Sequence, residues 1–200
     1  MGRKWYSYNK NRNMGWGKEM IIGLSGYARS GKDTAADRLV EHHMFTRYSF
    51  AAPMKEAMYK LNPIVSSDEI GNFRYKDLVD AYGLDKSKED APEIRRLLQV
   101  FGTEIGRDMF GINFWVDLTL NSVKEDRVVI SDVRFKNEAD AIKRIGGQVW
   151  RINRSGVGPV TNHSSETDLD DYNFHNIIDN DYSVVDLNNI IDMLWEKKNA

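Results

Sequence analysis

A three-layer α/β fold, with five parallel strands flanked by helices, is predicted by three features of this 200-residue chain. Short β-prone segments alternate with helical patterns, and a parallel sheet is the arrangement in which each strand returns through a helical crossover. The first such segment runs into a glycine-rich loop and then a helix. Hydrophobic residues make up 41% and charged residues 29%, enough for one core, and no Pro- or Ser-rich linker divides it.

The elements follow in order. "MIIGLS" (20–25) is an apolar run of strand length, and the helix after it is expected over 32–43. A second strand is read at "TRYSF" (46–50). Helices over 53–61, 74–82, 91–108 and 113–124 fill a long insertion before the third strand, "RVVISDV" (127–133). The start of the 91–108 helix is marked by Asp90 and Glu93 at capping-box spacing and by Pro92 in the first turn. A helix over 136–145 leads to "QVWRIN" (148–153), and "HNIID" (175–179) precedes a last helix over 184–197. Between those strands, "NRSGVGPVTNHSSETDLDDYN" (153–173) is polar, glycine-bearing and without periodicity, so a mobile loop is expected.

Several classes are excluded by composition. The longest apolar runs are far too short to span a bilayer, and with no cysteine there is no disulfide or thiolate metal site. No secretory signal precedes the first apolar segment, so a cytoplasmic protein is expected. The net charge of -2 conceals a leader: residues 1–18 carry five cations and no acid, leaving 23 basic against 30 acidic residues after it. With Trp5, Tyr6, Tyr8 and Trp16, that leader has the ingredients of a nucleic-acid contact. The plainer reading is a disordered leader over 1–19 before a folded domain at 20–200, with no nucleic-acid partner.

The loop "GLSGYARSGKDT" meets the pattern G-x-x-x-x-G-K with Gly26, Gly31 and Lys32. Its strand–loop–helix setting makes it a phosphate site of the P-loop NTPase type. Backbone N–H groups from Gly26 through Ser30 to Gly31 converge on phosphate oxygens, the helix N-terminus adds its dipole, and Lys32 reaches the terminal phosphates. Arg29 adds a second cation. Asp33 stands where a magnesium-binding hydroxyl is usual, so its carboxylate is expected to grip the metal, with the Thr34 hydroxyl one residue later. The second metal ligand expected is Asp132 at the end of the third strand; capping of the next helix is its competing role.

On the helix over 91–108, Ile94, Leu98, Phe101 and Ile105 form one stripe at 100° per residue. Arg96, Gln99, Thr103 and Arg107 form another almost opposite, with Arg95 beside Gln99. Guanidiniums, an amide and a hydroxyl suit a phosphate monoester and a base edge. A solvated surface face is the alternative, although Glu104 is the one acid nearby.

Taken together, "SGYARSGKDT", "FAAPMKEAM", "RRLLQVFGTEIGRDMFGINFW", "VVISDVRFKNEADAIKRIGG" and "HSSE" followed by "IDND" resemble the deoxynucleoside monophosphate kinases of bacteriophages, relatives of adenylate kinase. The resemblance runs from Met20 to about Trp195. It implies ATP as phosphoryl donor, a deoxynucleoside 5'-monophosphate as acceptor, Mg2+ with the ATP, an acceptor-binding helical region over about 51–125 and a short lid over about 153–173. It further implies Lys32 and Arg29 on donor phosphates, Asn180 in the adenine-side loop, and Phe50, Lys55, Arg95, Gln99, Gly102, Thr103 and Trp115 around the acceptor. Lys55 as a surface cation and Trp115 as a core residue stay open. Closing on the transferring group calls for cations, for which Arg151, Arg154 and Arg134 are the candidates. His163 of "HSSE" is read as organising its loop. Two other readings compete: a P-loop kinase for another small acceptor such as dephospho-coenzyme A, and a DNA-associated ATPase. An oligomeric state is not legible, with a homodimer one option.

Overall fold

The computed structural model describes residues 20–69, 71–159 and 164–199; the basic leader and His163 lie outside them. Two compact units divide the chain: one ends at Ser49 and resumes at Leu120, and the other is Phe50–Thr119.

The first unit is built on five parallel strands: β1 (Met20–Ser25), β2 (Thr46–Tyr48), β5 (Arg127–Ile130), β6 (Gln148–Asn153) and β7 (Asn176–Asp179). Their order is β2-β5-β1-β6-β7, with Ile22 of β1 level with Val129 and Gln148. β1 is therefore central and buried along its whole length, which is why it reads as an unbroken apolar run. Period-two alternation sorts its side chains. Ile22 and Leu24 pack with Ala35, Ala36 and Leu39 of α1 (Lys32–His43) and with Leu187 and Ile191 of α9 (Val184–Asn199). On the opposite face a Cβ at Gly23 would lie 2.6 Å from Ile142 of α7 (Lys136–Arg144), so the glycine admits that helix. Helices on both faces give the three-layer α/β architecture expected, and the loops after β1, β5 and β6 open at one edge of the sheet, where ligands bind in such folds.

The second unit holds α2 (Ala52–Leu61), an antiparallel hairpin of β3 (Ile64–Ser67) and β4 (Asn72–Arg74), α3 (Tyr75–Tyr82), α4 (Leu84–Asp90) and α5 (Pro92–Val100). Met58, Val65, Tyr75, Ala91, Ile94 and Leu98 form its core. The hairpin and α4 are additions to the expected elements. Two corrections concern the 91–108 helix. Asp90 ends α4, paired with Lys86, and the residue before α5 is Ala91, so the capping box is not formed. Beyond Val100 the helix widens into a π-helix, Phe101–Met109, before α6 (Phe114–Ser122).

The widening has a local cause. Trp115 is buried and its indole N–H donates to the Gly102 carbonyl at 2.8 Å. A Cβ on Gly106 would sit 2.1 Å from the same indole nitrogen. Gly106 thus lets the ring press against the backbone while the Gly102 carbonyl takes its N–H, a setting in which π turns replace α turns.

Candidate active site

The phosphate loop joins β1 to α1. Gly26 has φ 146° and Gly31 φ 106°, and a Cβ would come within 2.3 Å of the Ile152 carbonyl at the first and of Asn180 Nδ2 at the second. Both positions require glycine on conformation and on space. Arg29, at φ 65°, is also left-handed, so successive N–H groups turn inward as an anion cradle demands. The Ser30 hydroxyl is buried with no partner among the described residues, a donor suited to a phosphate oxygen. Asn180 follows β7 and is itself buried; its side-chain amide donates to the Ser30 carbonyl at 2.9 Å. It braces the loop from beneath.

Lys32 donates to the Tyr27 carbonyl at 2.6 Å. Burial, then the charge of Arg134, pulls its ammonium down to about 8, with Arg151 acting in the same sense and Asp33 and Glu166 opposing. Lys32, Arg134 and Arg151 are thus one electrostatic group. Each arginine is held by an acid of the expected lid. Arg134 pairs with Glu166 at 2.7 Å, from the short helix α8 (Ser164–Thr167). Arg151, nearly buried, stacks over the Tyr27 ring at 4.6 Å, donates to Asp170 at 3.1 Å and reaches Ser25 Oγ at 3.4 Å. The Tyr27 hydroxyl also donates to Asp170, at 2.7 Å. A pocket lined by Ser25, Gly26, Arg134, Arg151, Ser165 and Glu166 opens beside the loop.

Within the segment expected as a mobile loop over 153–173, the described second half makes defined contacts. Leu169 is buried, the Lys136 N–H donates to Asp168 at 2.7 Å, Lys136 Nζ pairs with Asp171, and the Tyr172 hydroxyl bonds Asp140. Acids spaced along "ETDLDDY" meet the basic start of α7, a match between distant segments that lack of periodicity conceals. Arg154 is exposed; the Asp181 carboxyl is held low by the backbone N–H and hydroxyl of Ser155, with the charge of Arg154 a lesser contribution.

On the metal side, Ser49 donates to Asp132 at 2.7 Å. The helix-capping role falls instead to Glu138, which accepts the N–H groups of Arg134 and Phe135. Asp33 is 81% exposed at its side chain and its carboxylate is paired with Arg47 of β2. Arg47 also donates to Asp37 at 2.9 Å and to Ser131 Oγ at 3.0 Å. Sequence reasoning missed Arg47; its signal was Asp33 and Asp37 one helical turn apart on α1. Among the described residues no group of three His, Asp or Glu side chains forms a self-sufficient metal site.

In the second unit, Arg95, Arg96 and Gln99 are exposed on α5, and Thr103 and Arg107 are half-buried on the π-helix. Arg96 pairs with Glu93 at 2.7 Å, so the polar face does carry an acid partner for one of its guanidiniums. Phe50 is buried, Lys55 is half-buried, and Trp115 packs on Phe101 and Phe114 at 5.9 and 4.7 Å.

A glycine-rich anion cradle after the central strand of a parallel sheet, with a half-buried lysine and flanking arginines, defines a P-loop phosphotransferase. Residues 20–90 and 64–191 match the deoxynucleotide monophosphate kinase family, and this chain belongs to it. A deoxynucleotide monophosphate kinase described as putative, from Acanthamoeba polyphaga mimivirus, is 34% identical over 80% of this chain and 86% of its own length. The deoxynucleotide monophosphate kinase of Enterobacteria phage T4 is 24% identical over 84% of this chain and 95% of its own. The deoxynucleoside-5'-monophosphate kinase of Escherichia phage T5 is 27% identical over 62% and 72% respectively. Among solved structures, a dephospho-CoA kinase from Campylobacter jejuni overlaps 90% of this chain and 97% of its own at 13% identity and a TM-score of 0.40, too loose a likeness to carry an argument.

Proposed function

We propose that this protein transfers the γ-phosphoryl group of ATP to a deoxynucleoside 5'-monophosphate, giving ADP and the diphosphate. The observation that carries the reading is the loop Gly26–Lys32, whose two left-handed glycines and half-buried lysine line one anion cradle. Its N–H groups and the α1 N-terminus hold the donor's β- and γ-phosphates. Lys32 exchanges the Tyr27 carbonyl for a phosphate oxygen, and Arg134 adds charge where the transferring group develops it. Arg151 holds Tyr27 and Asp170 in place. The acceptor phosphate is itself the nucleophile, so no general base is required.

Magnesium fits this donor set. Thr34 and Asp132 supply a hydroxyl and a carboxylate, the one or two protein ligands that suffice for an ion that keeps its waters and leans on substrate phosphates. Held there by Thr34 and Asp132 with the nucleotide, the ion would supply charge neutralisation to the phosphates. For the acceptor, Arg95, Gln99, Thr103 and Arg107 are the proposed ligands, with Lys55, Phe50, Gly102 and Trp115 proposed beside them. The family sets aside dephospho-coenzyme A as acceptor. No helix among the described residues is long and apolar enough to cross a membrane, and with a cysteine-free sequence we place the reaction in the cytoplasm.

A coupled assay of ADP release over the four deoxynucleoside monophosphates, AMP and dephospho-coenzyme A tests the reading. Turnover is expected with at least one deoxynucleotide and not with dephospho-coenzyme A. Release of ADP that ignores every monophosphate would overturn it.

A further inference from the structure

The phosphate loop of this chain is followed by a carboxylate, and the structure engages that carboxylate with a cation of its own. Asp33 comes directly after Lys32 and its charge is felt by the Lys32 ammonium, so its field reaches the anion cradle. A bare acid there opposes the several negative charges of a nucleoside triphosphate. Arg47 comes from β2, the strand beside β5, and its guanidinium is fixed from three sides: Asp33, Asp37 at 2.9 Å and Ser131 Oγ at 3.0 Å. Ser131 precedes Asp132, whose carboxylate takes the hydroxyl of Ser49, the residue that follows β2. β2 and the residue after it thus hold both acids: Arg47 grips Asp33, and Ser49 donates to Asp132.

We infer that Arg47 is a positioning residue of the donor site, which neutralises Asp33 and holds it aside so that it neither repels the triphosphate nor serves as a metal ligand. The inference rests on the reading of this loop as an ATP site. It departs from the expectation that Asp33 grips magnesium, because a carboxylate committed to a guanidinium has lost much of its affinity for a second cation. The two roles separate experimentally: repulsion acts on ATP with or without metal, whereas metal ligation acts only when magnesium is present.

ATP binding measured by calorimetry, once with Mg2+ and once with EDTA, provides the test on wild type, Arg47→Met, Asp33→Asn, Asp33→Asn/Arg47→Met, Asp37→Asn/Arg47→Met and Arg47→Lys. Arg47→Met is expected to weaken ATP about tenfold in both buffers, raising KM for ATP with kcat changed less than about threefold. Removing the exposed acid as well, in Asp33→Asn/Arg47→Met, should restore affinity to within about threefold of wild type, and the Asp37 double variant should not. Asp33→Asn alone should bind ATP no more weakly than wild type. If Arg47→Met does not fold, Arg47→Lys decides, since a retained charge should retain affinity. Loss of affinity in Asp33→Asn confined to the magnesium buffer, failure of the rescue, or an Arg47→Lys protein as weak as the rescue-free variant would overturn the inference. A wild type that binds no ATP at all would instead overturn the kinase reading beneath it.

Discussion

Lys32 illustrates how a single side chain can be functional at little cost to the fold. Its ammonium makes one hydrogen bond, to the Tyr27 carbonyl, while burial and two arginines press its proton affinity down to about 8. A cation so placed is under-solvated, and a phosphate oxygen is a better partner than a peptide carbonyl. Lys32→Ala should therefore lower turnover by about 100-fold or more while thermal melting stays close to wild type, since the group removed is as much a liability as a support in the free protein. Near-normal turnover in that variant would remove the P-loop mechanism. At this scale the sequence was most legible in Gly26, Gly31 and Lys32, where spacing between a strand and a helix implies the geometry. It was least legible at Asp33, because nothing local announces that a strand residue, Arg47, will claim its carboxylate.

The element that most shapes the acceptor proposal is the helix from Pro92 to Met109, α-helical and then π-helical. In the α portion the stripe logic holds: Ile94 and Leu98 are buried, and Arg95 and Gln99 are exposed. Beyond Val100 the helix is π-helical and a 100° projection no longer applies; there Thr103 and Arg107 are half-buried. Arg95→Ala and Gln99→Ala should each lower kcat/KM for the acceptor by about 1.5 to 3 kcal/mol, the usual worth of hydrogen bonds to charged groups, with ATP binding unchanged. Glu104→Ala, exposed on the next turn, is the control and should match wild type; equal effects at all three positions would reduce the face to solvated surface. β1, α1 and β6 lie where the sequence put them, because glycine and polar punctuation bounds them. The hairpin of β3 and β4 did not announce itself, since "IVSS" and "NFR" are short and mostly exposed, and their pairing is anchored by burial of Val65 and Tyr75. The π segment escaped for another reason: it answers to the fit of Trp115 against Gly102 and Gly106, which no periodicity encodes.

Across the first unit, the two helices on one face of the sheet come from opposite ends of the chain, and a polar clasp joins them. Asp192 of α9 accepts from Arg38 of α1 at 2.9 and 2.5 Å and bonds His43 Nε2 at 2.7 Å. Trp195 seals the clasp, edge-on to Phe45 at 5.1 Å and under Arg127 at 5.2 Å. Contacts between residues about 150 positions apart are what make the first and last helices unfold with the sheet rather than fray from it. The hydrogen bonds from Arg38, and then that from His43, hold the Asp192 carboxyl down to about 2, against a burial effect that raises it. A carboxyl with a depressed folded-state value adds stability that is fully present above its unfolded value, near 3.8, and is lost as pH falls through about 2. Because the group is a quarter exposed, solvent screening trims the gain, and Asp192→Asn should cost about 1 to 2 kcal/mol at pH 7 in urea unfolding. That difference between wild type and variant should hold from pH 7 to pH 4 and shrink between pH 4 and pH 2. A gap that stays constant to pH 2 would mean that Asn at this position loses packing rather than charge, and a gap absent at pH 7 would mean that the clasp contributes nothing to holding α9 on the sheet.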